Sequence, residues 1–306
     1  MAAFRFICRF MNIRRNNHSI SFALYSADMR LTVLLFMLVF TTAAVNAQTD
    51  TLSFKNCSKR LQLYGDSILK GTNDTVRLSA NDQFYQLLDS VLHTAGGTQL
   101  SFGQQKALSV AQSEDEKVKA LTWLVQTDNG NKYRYFGFIL QRADKKDPWK
   151  VFRLFMNTSL NRETLETMKS DSSLWPGCIY YHIRHERYKK KDYYLLLGWA
   201  PQSVYTTRKY VEPIVFSPVR VTIGHPAIKA GGRARTRLVF EYNAQATMSL
   251  RYNEKLNMIV MDHLASSDPR PESAGMYQLY GPDLSYDGLK FLRGQWVLVK
   301  DVDVRN

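Results

Sequence analysis

The chain has 306 residues, with 41 Lys and Arg against 27 Asp and Glu, a formal charge of +14 and 45% hydrophobic residues. That length suffices for one large domain or two small ones. The sequence contains no phosphate-binding glycine loop, no metal-ligand cluster of recognised spacing and no nucleophile elbow, so the enzyme classes those motifs announce have no support in it.

In chain order, the first readable segment is Met29 to Gln48. Arg30 precedes the apolar run Leu31 to Val45, and small residues end at Ala47. A positive flank, an apolar core and a small-residue cleavage position are what an export channel and its peptidase require. The run falls short of the about 20 apolar residues of a membrane span. Residues 1–28 carry Arg5, Arg9, Arg14 and Arg15 with no acid before Asp28. They read as an extended positive flank, as a transit stretch, or as upstream sequence with Met29 as initiator. Removing the first 47 of the 306 residues, which hold five Arg and one Asp, leaves 259 residues with 36 basic and 26 acidic side chains, a charge of +10. Outside the cytoplasm the abundant acidic partners are envelope polymers and lipid head groups rather than nucleic acid. Cys8 departs with the leader, so Cys57 and Cys178 remain as a candidate disulfide for an oxidising compartment. Closing so long a loop contributes on the order of 4 to 5 kcal/mol in the chain-entropy model. Sequons at Asn73 to Thr75 and Asn157 to Ser159 are glycan acceptors only on a eukaryotic secretory route.

After the leader, residues 48–112 read as mainly helical. Ser79 to Asp82 offers capping residues, Phe84, Leu87, Leu88, Val91 and Leu92 recur at helical spacing, and Gly96-Gly97 ends the segment. Residues 113–306 read as antiparallel and β-rich. Strands are expected at Val118 to Thr127, Tyr133 to Arg142, Trp149 to Phe155, Cys178 to Arg187, Tyr193 to Trp199 and Tyr210 to Phe216, with Asp128-Asn129-Gly130-Asn131 turning the first pair. Arg233 to Tyr242 alternates clearly, with Arg233, Arg235, Arg237 and Glu241 on the polar face. Ala246 to Tyr252 repeats the scheme, Leu256 to Met261 reads as a covered strand, and Gly294-Gln295 links Leu289 to Leu292 with Trp296 to Val299. The expected fold is α+β: a short helical N-terminal segment with a large antiparallel sheet system of sandwich or curved form.

Leu121-Thr122-Trp123, YYLLLGW at Tyr193 to Trp199, FEYNAQATMSLRY at Phe240 to Tyr252, IVMDHLASSDP at Ile259 to Pro269, and the segment Tyr277 to Asn306 resemble an uncharacterised family of exported proteins of Bacteroidetes. The resemblance covers most of the mature chain. It implies a Gram-negative envelope location, periplasmic by default, and no activity.

Four groups of residues offer chemistry. His182, His185 and Glu186 have a metal-like look, but residues three apart on a strand point to opposite faces, so the two imidazoles do not converge. Asp283, Ser285 and Asp287, with Gly288, match the first half of a calcium loop. Asp262 and His263, with Asp301 and Asp303 on one face of a terminal strand, are the acid-base candidates. Arg233, Arg235 and Arg237, with Arg251 on the next strand, form a cationic stripe suited to phosphate or carboxylate, and Trp199, Tyr205 and Arg208 mix aromatic and basic groups as sugar or peptide sites do. The functional expectation is an exported, non-catalytic module without a cofactor or a transmembrane span, binding an anionic envelope component or an envelope protein. The alternative is a hydrolase acting on an envelope polymer by carboxylate acid-base chemistry.

Overall fold

The computed structural model describes residues 54–99, 102–103, 105–157, 162–268 and 270–305. The leader, the cleavage position and residues 158–159 of the second sequon lie outside them. Among the described residues there are three α-helices and sixteen strands, and the chain is mostly β. The helices are α1 (54–70), α2 (Asp74–His93) and α3 (Arg162–Thr167). None of them is long and apolar enough to cross a membrane.

The unit Asn56–Asn306 is layered. A four-stranded antiparallel meander comes first, β1 (Ser109–Gln112), β2 (Val118–Thr127), β3 (Lys132–Gln141) and β4 (Lys150–Leu154), in that spatial order. The second sheet runs β5-β9-β8-β7-β6 with β12 added against β8; its members are β5 (Ser170–Asp171), β6 (Ile179–Tyr188), β7 (Lys191–Pro201), β8 (Thr206–Phe216), β9 (Val221–Ile223) and β12 (Leu238–Asn243). The third runs β11-β10-β16-β15-β14-β13, from β10 (Ile228–Ala230), β11 (Arg233–Arg235), β13 (Leu250–Asn253), β14 (Met258–Ser266), β15 (Tyr280–Leu292) and β16 (Gln295–Val299). Every pairing between these strands is antiparallel except β10 with β16; an isolated bridge, Met156 with Trp175, is also parallel.

Alternation along the strands assigns each residue to one of three cores. In the first sheet the paired residues Leu121 and Phe138, with Trp123 and Leu140, face Leu61 and Ile68 of α1 and Phe84, Leu88 and Leu92 of α2. On the other face, Ala120, Tyr135 and Ile139 meet Tyr180, Ile183, Leu196 and Tyr210 of the second sheet. Leu195 and Leu197 turn the opposite way and pack with Val211 against Leu250, Ile259, Met261 and Trp296 of the third. The run Leu195-Leu196-Leu197 is therefore covered on both faces, as a strand at the centre of stacked sheets requires.

Helix α2 starts five residues before the capping residues expected at Ser79. Asn73 is the cap, its side chain accepting the Val76 amide at 3.0 Å, and Asp74 favours the positive helix end. Asp74 also accepts the Asp128 amide at 2.8 Å, which ties the β2–β3 turn to the start of α2. Asp128, Asn129 and Gly130 in that turn all have positive φ, which is why Asn and Gly sit there.

Two expectations are corrected at this level. Arg233 to Tyr242 is two strands in different sheets, β11 and β12, because the chain breaks at Thr236-Arg237 and its face changes there. Cys57 and Cys178 are free. Cys178 is buried between the first and second sheets, whereas α1, which carries Cys57, packs on the opposite face of the first sheet.

Candidate functional site

A concavity lies where α2 crosses the open end of the first sheet. Strand β4 pairs with β3 only over Gly137 to Gln141, so among the described residues the stretch Lys132 to Phe136 has no strand paired to it on that side. The Tyr135 amide meets the Met156 sulfur there at 3.3 Å. Around this edge two cavities adjoin. One, of 460 Å³, is lined by Asn81, Asp82, Tyr85 and Gln86 of α2 and by Phe136, Phe155 and Met156. The other, of 420 Å³, lies on the opposite side of β3 and is lined by Lys132, Tyr133, Asn157, Pro201, Gln202 and Arg208. Arg134, Tyr135 and Met156 line both.

Each wall is fixed from behind. Asn81 is buried and its amide oxygen accepts the Trp123 indole at 2.8 Å, while Phe84 and Tyr85 pack on the same indole. Arg153 forks onto both oxygens of Asp89 at 2.9 Å, clamping α2 to β4 just above the cavity. The Tyr135 hydroxyl donates to the Pro201 carbonyl at 2.6 Å, and burial raises its pKa far above that of a free phenol, so it acts as a neutral donor. Burial and the nearby Asp89 likewise raise Tyr85.

Arg134 stands apart in this setting. It is exposed, its guanidinium lies 5.7 Å from the centre of the Phe136 ring, and among the described residues it has no carboxylate partner. Its neighbours are spoken for: Lys132 pairs with Asp128 at 3.1 Å and Arg208 with Glu241 at 2.7 Å. In a second basic hollow of 490 Å³, near Trp149, the guanidinium is paired instead: Arg142 and its neighbour Lys145 both meet Glu116. The groove thus combines aromatic faces (Tyr85, Phe136, Phe155), neutral amides (Gln86, Gln202), one carboxylate (Asp82) and one uncompensated guanidinium. That set can stack on a ring, hydrogen-bond hydroxyls and hold an anionic group bidentately.

The cationic stripe does not exist as a surface. Arg237 is fully buried and bonds Glu212 at 2.6 Å, Ser170 Oγ and the Leu165 carbonyl. Arg235 pairs with Glu166 at 3.0 Å. Arg233 and Arg251 are exposed but stand on β11 and β13, at opposite edges of the third sheet. Trp199 and Tyr205 are exposed, at 38% and 70%, and of the sequence candidates Arg208 alone lines the groove.

The acid-base and calcium candidates meet at one irregularity. Between the pairs Asp262 with Tyr286 and Leu264 with Pro282, three residues of β15, Asp283, Leu284 and Ser285, stand opposite His263 alone. Leu284 takes φ 73° and is 88% exposed. His263 Nδ1 lies 2.9 Å from Asp287, whose other oxygen accepts the Asp301 amide at 3.3 Å. Asp283 accepts from the amide and hydroxyl of Ser285, and these two hydrogen bonds hold its carboxyl below the usual range. Asp262 accepts the Ser249 amide at 2.6 Å. Asp283 and Ser285 thus bond each other within a strand bulge, while Asp287 is engaged by His263 and the Asp301 amide, so the three do not converge as a calcium loop. Nor do Asp301 and Asp303 form a carboxylate pair: β16 ends at Val299, Asp301 has φ 54°, and Asp303 bonds Arg305. A cleft of 530 Å³ is lined by Asn243, Gln245, Ser266 and Gln278 together with Ala246, Leu279 and Pro282, and includes Asp283.

His182 and His185 point to opposite faces of β6, the first stacked on Tyr252 and the second on Tyr194. The sequence carried one overlooked signal for the groove. Arg134 falls in register with Phe136, Phe138 and Leu140, on the apolar face of β3. The chain matches no protein-family model and no curated protein.

Proposed function

We propose that the protein is an exported, non-catalytic binding module that holds an anionic saccharide of the cell envelope in the groove around Arg134, and that it belongs with the exported Bacteroidetes proteins it resembles. The observation that carries the reading is Arg134 itself, a solvent-facing guanidinium with no acidic partner among the described residues, set between aromatic walls at the junction of two cavities. The leader pattern and the basic balance of the remaining chain support the same compartment and the same sign of partner. Retention of the purified full chain on an immobilised acidic envelope polysaccharide tests it. Hydrogen bonds to charged groups contribute about 1.5 to 3 kcal/mol, so Arg134→Ala should weaken binding by roughly 10- to 100-fold. Undiminished retention removes the groove from consideration. Charge reversal at Arg237 is not a usable test, because it would place an acid beside Glu212 in the core.

One observation favours a second reading, a hydrolase: Asp287 holds the His263 ring, as an orienting carboxylate holds a general base, in the bulge whose Asp283 lines a cleft of 530 Å³. Turnover of an envelope polymer that disappears in His263→Ala and Asp287→Asn would establish it. Turnover equal to that of the unaltered chain would end it.

A further inference from the structure

Asp115 lies in the turn between β1 and β2, His185 on β6 and Asp192 on β7, and one ligand atom from each lies within 4.8 Å of the other two. His185 Nε2 is 3.0 Å from Asp192 Oδ1 and 3.5 Å from Asp115 Oδ2. Ligands bound tetrahedrally at about 2.0 to 2.2 Å stand roughly 3.3 to 3.6 Å apart, so the imidazole and Asp115 already stand at that spacing, the imidazole and Asp192 a few tenths of an ångström inside it, and all three atoms are within 4.8 Å of one another. We propose that Asp115, His185 and Asp192 bind one first-row divalent transition ion, for which zinc is the fitting probe.

Three features support the assignment. First, a single Nε2–H cannot fully serve two carboxylates, whereas a cation between the three atoms satisfies both acids and relieves their mutual repulsion. Secondly, the ligands are held in place. Asp115 accepts from the Ser113 hydroxyl at 2.6 Å, the Lys117 amide at 3.2 Å and the Tyr194 hydroxyl at 2.7 Å, and the His185 ring stacks on Tyr194 at 5.1 Å. Such groups behind the ligands tune metal sites. Thirdly, the basic neighbours leave room. Lys117 pairs at 3.6 Å with the other Asp192 oxygen, Oδ2, and Arg187 is 64% exposed and 3.8 Å from Oδ1. An imidazole in the set favours zinc, copper or nickel over calcium and magnesium. Three protein ligands leave one position for water.

The experiment is calorimetric titration of the chelator-treated full chain with zinc chloride, and separately with calcium chloride. Zinc should bind at one ion per chain and calcium should give no saturable heat. His185→Ala should abolish the one-to-one event. Tyr194→Phe, which removes only a hydroxyl behind Asp115, should weaken it by about 10- to 100-fold. If His185→Ala does not fold, as judged by circular dichroism, Asp192→Asn carries the test, because Asp192 is partly exposed and the amide is isosteric. Absence of stoichiometric zinc uptake overturns the proposal. So does full binding by the folded His185 or Asp192 variant, which would place the ion elsewhere.

Discussion

Arg237 shows how far a single residue can depart from a sound local pattern. Alternation from Arg233 onward puts it on the polar face, but it and Glu212 are both 0% exposed. The surrounding groups explain how the charge is tolerated: Ser170 Oγ and the Leu165 and Met168 carbonyls accept from the guanidinium, and Tyr180, itself bonded to the Trp175 indole, donates to Glu212. Breaking a buried pair leaves an uncompensated charge, which costs about 3 to 5 kcal/mol. Glu212→Gln should therefore lower the unfolding free energy by about that amount in urea titration. A loss below about 1 kcal/mol would mean the pair is not sealed from water. Gly198 is a smaller case on the neighbouring strand. A Cβ added there would lie 2.6 Å from Cys178 Sγ. Gly198→Ala should cost about 1 to 3 kcal/mol, and pairing it with Cys178→Ala should recover part of that loss in thermal unfolding.

Elements that alternate over eight or more residues were legible. Val118 to Thr127 forms a strand with the expected bounds, and the Asp128 to Asn131 turn is where its residues require it. Short elements were not: β5 has two residues and β9 and β10 three each, too few for a period to show, and β11, also three residues, was legible only as part of a longer run that the structure divides. Their existence depends on partners far along the chain, as with β10, which pairs in parallel with β16. Helix α2 was legible from its apolar stripe but not at its start, because its first turn is held by a cap and by the β2–β3 turn rather than by apolar periodicity. Asn73→Ala should accordingly cost about 0.5 to 2 kcal/mol, seen as a lower midpoint in denaturant. An unchanged midpoint would show that tertiary packing alone sets the helix start.

For the whole molecule, pH dependence follows from the acids held low. Burial opposes the lowering at Asp115 but is outweighed there by hydrogen-bond donors and His185, while the Ser173 hydroxyl and amide lower Asp171. A carboxyl depressed in the folded state stabilises it above the unfolded value, near 3.9 for Asp, and that contribution disappears as pH falls through the lower folded value. Stability should thus be level in this respect above about pH 5 and decline below about pH 4. Asp115→Asn should flatten part of that decline in unfolding followed by circular dichroism.

The candidate sites were less legible than the fold for a related reason. The groove joins Asp82 to Arg134 and Met156, and the metal-like cluster joins Asp115 to His185, so neither has a local spacing to recognise. Single residues such as His263 were identifiable, but their partners were not: Asp287 reaches His263 only through the β14–β15 pairing. The most direct test of the binding account is hydrogen exchange of the full chain with and without an acidic envelope oligosaccharide. The account predicts slowed exchange at residues 82–86 and 133–136, lost in Arg134→Ala, with the β14–β15 bulge unchanged. Protection confined to the bulge around His263, or none at all, would contradict it.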